Sequence, residues 1–247
     1  MHGPALLLSV LLAAAPLIAQ QPPARSLQED VIPTSAGDLT ITFVGHGTLM
    51  LRHGGKVVHV DPVGREADYS RMPKADVILV THEHGDHLDT AVVERLRKDG
   101  TQVLVSRSCE GRVPGALVMR NGEVREVAGF RVEAVPAYNV VHTRPGGLPY
   151  HPRGNGNGYV ITFAEVRVYV AGDTENTSEM KARRNIAVAF LPMNLPYTMT
   201  PEMVADAARS IRPRVLYPYH FGQTDPQVLV RLLAGEAGIE VRVREMR

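Results

Sequence analysis

Three histidines and an aspartate fall within six residues in the stretch Thr81-His82-Glu83-His84-Gly85-Asp86-His87-Leu88-Asp89. Imidazole and carboxylate groups at that density form the donor set of a metal site. They suit zinc, one or two ions per chain, with Mn²⁺ or Fe²⁺ as alternatives where oxygen donors dominate. Placement strengthens the reading. Val77-Ile78-Leu79-Val80 is apolar and rich in β-branched residues, which predicts a buried strand, so the histidines begin where a strand ends. Residues two apart in an extended segment point the same way, so His82 and His84 can grip one ion. Gly85 lets the loop turn tightly, which leaves Asp86 and His87 free to face a second ion beside the first.

Two more donors follow at predicted strand ends, Asp173 in Gly172-Asp173-Thr174 and His220 in Tyr217-Pro218-Tyr219-His220-Phe221-Gly222. Alone, each is more often a turn residue or a satisfied polar group. In this order after His-x-His-x-Asp-His they make the chain resemble the metallo-β-lactamase superfamily, over nearly everything past the N-terminal region. It looks closest to the branch that includes ascorbate-phosphate lactonase and N-acylphosphatidylethanolamine phospholipase D. The resemblance implies an α/β fold, a four-layer αββα sandwich of two mixed sheets with helices on the outer faces. It also implies that Asp173 bridges two ions and that His220 is the last histidine ligand.

The same resemblance exposes a departure. Relatives carry a histidine between the cluster and the Gly-Asp-Thr element as the third ligand of the first ion, and here Asn139 stands in its place. An asparagine carbonyl is a poor zinc ligand. His142 and His151 are the candidate replacements. His151 is favoured, because Pro152 fixes its backbone and Gly154, Gly156 and Gly158 let the loop fold down. Otherwise His151 and Arg153 bind substrate and the first site is half filled. His46, in a Gly-His pair, is expected beside the centre or in the pocket wall. Asp61 and Asp89 are expected to hold the histidine loop by hydrogen bonds, and His59 to be structural.

The elements that must position these groups read as strand after strand. Leu39 to Val44 alternates, and Gly54-Gly55 predicts a tight turn between Thr48-Leu51 and Lys56-Asp61. Asp89 is placed to cap a helix through Ala91, Val92, Leu96 and Arg97 that ends at Gly100. Asn121-Gly122 predicts a hairpin turn within 116–137. Tyr159-Phe163 and Val166-Val170 form a second hairpin, Val188-Leu191 and Val215-Tyr217 are buried strands, and Thr200-Pro201 and Asp225-Pro226 open helices. Residues 1–19 read as a secretory signal peptide, with an uncleaved N-terminal anchor as the alternative. Residues 20–35 read as a flexible tether and 36–247 as one domain. The protein is therefore expected to be exported, periplasmic or secreted, without a permanent membrane span.

A chain of 247 residues with 44% hydrophobic and 21% charged residues can bury one sizeable α/β core. A formal net charge of +1, no tryptophan and 5% aromatic residues give no footprint for nucleic acid. One cysteine, Cys109, excludes an intrachain disulfide. The expected activity is metal-dependent hydrolysis of an ester, lactone, phosphodiester or amide in a small molecule, which Arg144 and Arg153 suggest is anionic. Asp86 and His87 are the catalytic candidates, Asp86 first as a ligand and second as orienter of the attacking hydroxide. The alternative is a non-catalytic metal- or ligand-binding protein whose first site is incomplete.

Overall fold

The structure, a computed structural model, describes residues 26–247. The expected signal peptide and the first part of the tether lie outside the described residues. The rest of the tether is not a tether, because β1 (Gln28–Thr34) pairs antiparallel with β2 (Gly37–Gly45) along its whole length. Only Ile32 of β1 is fully buried, which is why hydrophobic alternation does not announce the strand. It is an edge strand held by backbone pairing, and an edge tolerates Pro33.

The chain continues through β3 (Thr48–His53), β4 (Lys56–Val60), β5 (Val77–Val80), α1 (Thr90–Leu96), β6 (Gln102–Ser106) and β7 (Leu117–Met119). Strands β1 to β7 form one sheet in sequence order, and β4 to β7 run parallel. The second sheet holds β8 (Val124–Val127), β9 (Phe130–Ala137), β10 (Gly156–Phe163), β11 (Val166–Val170), β12 (Val188–Pro192), β13 (Val215–Tyr219) and β14 (Glu240–Val241), again in sequence order. Its helices are α2 (Ser178–Lys181), α3 (Pro201–Ile211) and α4 (Pro226–Leu233). Asn121-Gly122 is therefore not a hairpin turn. It sits where the chain leaves the first sheet for the second, and Ala128-Gly129, both with positive φ, turns the β8–β9 hairpin.

One core joins the sheets, with Leu39, Ile41 and Phe43 of β2 in the same cluster as Tyr159, Phe190 and Tyr217. A smaller cluster lies under α1, where Val92, Val93 and Leu96 meet Ile78 and Val80. Strands buried on both faces explain runs such as Val77-Ile78-Leu79-Val80 that are apolar without alternation. The αββα sandwich implied by the sequence is the fold found. Thr200 and Asp225 cap α3 and α4 with proline at the first turn, and Asp89 caps α1, each as expected. Among the described residues, no helix is long and apolar enough to cross a membrane.

Candidate metal centre

The carboxyl ends of parallel strands from both sheets meet at one edge of the sandwich, where open α/β folds place their ligands. β4 ends into Asp61 and β5 into Thr81-His82. β11 ends into Gly172-Asp173 and β13 into His220. Asp61 (φ 45°), His220 (φ 47°) and His46 (φ 49°) all sit in the left-handed region. Non-glycine residues visit it at a cost, and such strain gathers at functional sites.

Two donor groups face each other across Asp173. In the first, His82 Nε2 lies 3.1 Å from His84 Nδ1, and the His151 ring centroid is 5.0 Å from both rings. In the second, His87, Asp86 and His220 converge, with His220 Nε2 3.6 Å from Asp86 Oδ2. The buried Asp173 addresses both groups. Its Oδ2 is 3.3 Å from His151 Nε2 and 3.4 Å from His220 Nε2, and its Oδ1 is 3.4 Å from His87 Nε2. Gly172 (φ 66°) permits this approach, since a Cβ there would stand 2.8 Å from the Asn157 carbonyl oxygen.

A supporting layer sets the ring tautomers. Asp61 Oδ2 accepts from His87 Nδ1 at 2.8 Å and from Thr81 Oγ1 at 2.6 Å. With its own proton given to Asp61, Thr81 Oγ1 accepts from His82 Nδ1 at 3.0 Å. Asn139 Oδ1 accepts from the His151 ring Nδ1 and from the His151 backbone N–H, both at 2.8 Å. Each bond fixes a proton on the outer nitrogen and turns the other nitrogen inward. Asn139 is itself held, donating to Glu175 Oε1 at 3.1 Å and to the Tyr197 carbonyl at 2.8 Å. The residue that breaks the ligand pattern thus seats the neighbouring histidine with its Nε2 toward Asp173.

Of the residues singled out from sequence, His82, His84, Asp86, His87, His151, Asp173 and His220 come together. His46 reaches Asp86 Oδ2 at 3.2 Å and lies tilted against the His220 ring with centroids 3.7 Å apart. His142 turns away, with Nδ1 2.8 Å from Glu175 Oε1 and 2.9 Å from the Thr198 carbonyl. Arg153 also turns away, exposed and paired with Glu179 at 2.6 Å. Asp89 does not touch the histidines and instead accepts from Gly64, Ala91 and Val92 backbone N–H groups. His59 is fully buried and bonded to the Pro73 carbonyl, a structural role. Sequence reading missed Glu175, whose buried carboxylate accepts the backbone N–H groups of Val140, Val141 and His142. Its only signal was its position directly after Gly172-Asp173-Thr174.

The electrostatics ask for a cation. Burial opposes ionisation of Asp173, yet His220, His87 and His151 outweigh it and hold the carboxyl well below the usual range. Burial also opposes a charged His87, but Asp173, Asp61 and Asp86 hold it up at about 9. His82 is pushed down by burial and then by His87. A proton on His87 thus supplies part of the positive charge that the carboxylates favour, and metal binding would release it. Among the described residues, His87 Nε2, His220 Nε2 and Asp173 Oδ1 are buried without a hydrogen-bond partner. Unpartnered buried polar atoms cost roughly 1–3 kcal/mol each, so three that converge are explained by a shared ion. The residues fit the metal.

Outside the centre lies a cleft of about 310 Å³ lined by Asp86, Arg144, Tyr150, Asn194, Tyr197 and the inward histidines. Two face-to-face mixed sheets with a histidine–aspartate centre at their common edge define a metallo-hydrolase of the metallo-β-lactamase fold. Residues 40–220 match the β-lactamase superfamily domain, and the chain belongs to that superfamily. It is 32% identical over 233 residues to a metal-dependent hydrolase of Methanopyrus kandleri, covering 83% of this chain and 95% of the relative. A crystal structure of a candidate metal-dependent hydrolase from Parabacteroides distasonis superposes with a TM-score of 0.85 at 45% identity, covering 90% of this chain and all of that one. A metallo hydrolase from Ignicoccus hospitalis shares the fold with a TM-score of 0.67 at 24% identity, covering 84% and 95%.

Proposed function

We propose that this metal-dependent hydrolase holds two divalent ions and cleaves an ester, lactone, phosphodiester or amide bond in a small molecule bound in the cleft. His82, His84 and His151 would hold the first ion, Asp86, His87 and His220 the second, and Asp173 would serve both. The observation that carries this reading is His151. Seated by Asn139 with Nε2 toward Asp173, it completes the three-histidine group that the sequence left one short. Zinc suits the donor set best.

When bound, the ions supply Lewis acidity and make a water acidic enough to ionise near neutral pH. The protein's own part is orientation and charge. Asp61 and Asn139 keep His87 and His151 in the tautomers that present Nε2 to the centre. Asp86 is the more exposed of the two carboxylates that line the cleft, and His46 and His220 hold it ionised against its partial burial. It is placed to accept a proton from an attacking water or to orient it. Tyr150, Tyr197 and Asn194 wall the cleft and restrict how a substrate can lie.

The test is metal content and turnover measured together, on protein purified without chelator and on His84→Ala, with a phosphodiester, a lactone and a β-lactam as substrates. About two ions per chain, with turnover lost in the variant, supports the reading. Two ions with no turnover on any of the three would instead favour a binding protein.

A further inference from the structure

Eight large hydrophobic side chains are exposed among the described residues, and five of them, Val140, Val141, Leu148, Leu195 and Tyr197, lie on the two loops that border the cleft. Their exposure runs from 42% to 72%. Scattered exposed apolar groups need no explanation, but a cluster beside a site does. This cluster is built. The backbone N–H groups of Val140 and Val141 each donate to Glu175 Oε2 at 2.7 Å, and Glu175 is fully buried. The loop is thereby pinned from beneath with both valine side chains turned out.

The rest of the rim is equally fixed. Arg144 N–H donates to the Leu148 carbonyl at 2.7 Å and Thr143 bridges Pro149, so Leu148 is held beside Arg144 where a tight turn closes. The second loop is stitched to the first by Asn139 bonding the Tyr197 carbonyl, by His142 bonding the Thr198 carbonyl at 2.9 Å, and by the Tyr150–Tyr197 edge contact at 5.0 Å. Arg144 lines the cleft together with the inward histidines and Tyr197. Its guanidinium lies over the Tyr150 ring, 5.6 Å from the centroid, and forms no ion pair among the described residues. Arg153, by contrast, is already neutralised by Glu179.

We propose that the substrate is an amphiphilic anion, whose charged group lies against Arg144 and whose hydrocarbon arm lies across Val141, Leu148 and Tyr197 while the scissile bond reaches the centre. The composition of the cleft and its border sets this chemistry: buried metal donors and a cation without an ion pair among the described residues line it, and exposed apolar side chains stand on the loops around it. A wholly polar substrate would leave the rim unused, and a wholly apolar one would leave Arg144 desolvated without a counter-charge. The inference rests on the hydrolase reading for the position of the scissile bond.

The test uses binding, which is separable from turnover. Acetate, butyrate, hexanoate and octanoate are titrated calorimetrically into the metal-loaded full chain, its Val141→Ser/Leu148→Ser variant and Arg144→Gln. Affinity is expected to rise with chain length, by up to about fourfold per methylene for full burial. The double variant is expected to flatten that dependence, and Arg144→Gln to weaken all four ligands by a similar factor, about tenfold. No dependence on chain length, or one that survives the double variant unchanged, would overturn the proposal. So would a double variant whose effect is on self-association of the free protein in sedimentation, which would assign the rim to contacts between copies. Loss of turnover on every ester with chain-length-dependent binding intact would count against the hydrolase reading and leave the amphiphile site standing.

Discussion

At the scale of single residues, the centre depends on groups that touch no ion. Asn139 donates two protons outward and accepts two bonds from His151, so its amide can sit only one way round. Asn139→Ala removes the acceptor that fixes the His151 tautomer. It is expected to weaken one ion of the pair by roughly 10–100-fold while sparing the other. A competitive chelator titration resolving the two affinities checks this, and two unchanged affinities would show that His151 needs no such anchor. His59 carries a separate pH dependence. Burial pushes its ring down to about 4 from 6.5, so between those values the unfolded chain binds the proton and the folded chain does not. Stability is full above pH 6.5 and falls as pH drops toward 4, by about 3 kcal/mol from this group. Urea unfolding of chelated protein at several pH values should show a slope that His59→Gln removes. Much of this scale was legible beforehand. His82, His84, Asp86 and His87 are local in sequence and declare themselves by density. The Asn139–His151 bracket closes between residues twelve apart, and Glu175 joins it from another sheet connection, so neither leaves a periodic or local signal.

At the scale of elements, β1 is the case where sequence reading fails and packing explains why. The strand buries little apolar surface, and its anchor is electrostatic: Asp30 forms a two-oxygen pair with Arg244 at 2.7 and 2.8 Å and accepts from the Tyr217 hydroxyl. Arg244 in turn lies over the Phe43 and Tyr217 rings. Partial burial raises the Asp30 carboxyl, and Tyr217 and Arg244 more than reverse it, leaving it lowered. A strand held from 187 and 214 residues away cannot be read from a local window. Asp30→Ala should cost about 2 kcal/mol in urea unfolding, from charged hydrogen bonds lost at a half-buried site. The wild type should lose the same contribution as pH falls below 3.8, since an ionised Asp30 stabilises only the fold. The strands of the parallel core posed no such difficulty, because burial on both faces writes itself as unbroken apolar runs.

For the whole molecule, the two sheets meet through one hydrophobic core and one polar centre. The order of strands within each sheet follows the chain, so the αββα arrangement was readable once the histidine motif indicated the superfamily. The crossover at Asn121-Gly122 was not, because a turn signal says nothing about which sheet comes next. The centre is expected to add stability only when loaded. An ion present at about a thousand times its dissociation constant contributes roughly 4 kcal/mol, which for a domain of this size is a shift of about 8–16 °C in Tm. Calorimetry with and without chelator measures it. A Tm that ignores the chelator would mean that the folded chain holds no ion, against the three unpartnered atoms His87 Nε2, His220 Nε2 and Asp173 Oδ1.

The division of donors between the sheets has a mechanical meaning. His82, His84, Asp86 and His87 hang from the first sheet, and His151, Asp173 and His220 from the second. Each ion would therefore be tied to both halves of the sandwich, like a rivet through two plates. In a chain whose single cysteine rules out an internal disulfide, that rivet is a strong cross-link, and it can be withdrawn. A mutation in the core between the sheets that slides one plate by a fraction of an ångström would then be felt first as a loss of metal, before any loss of fold.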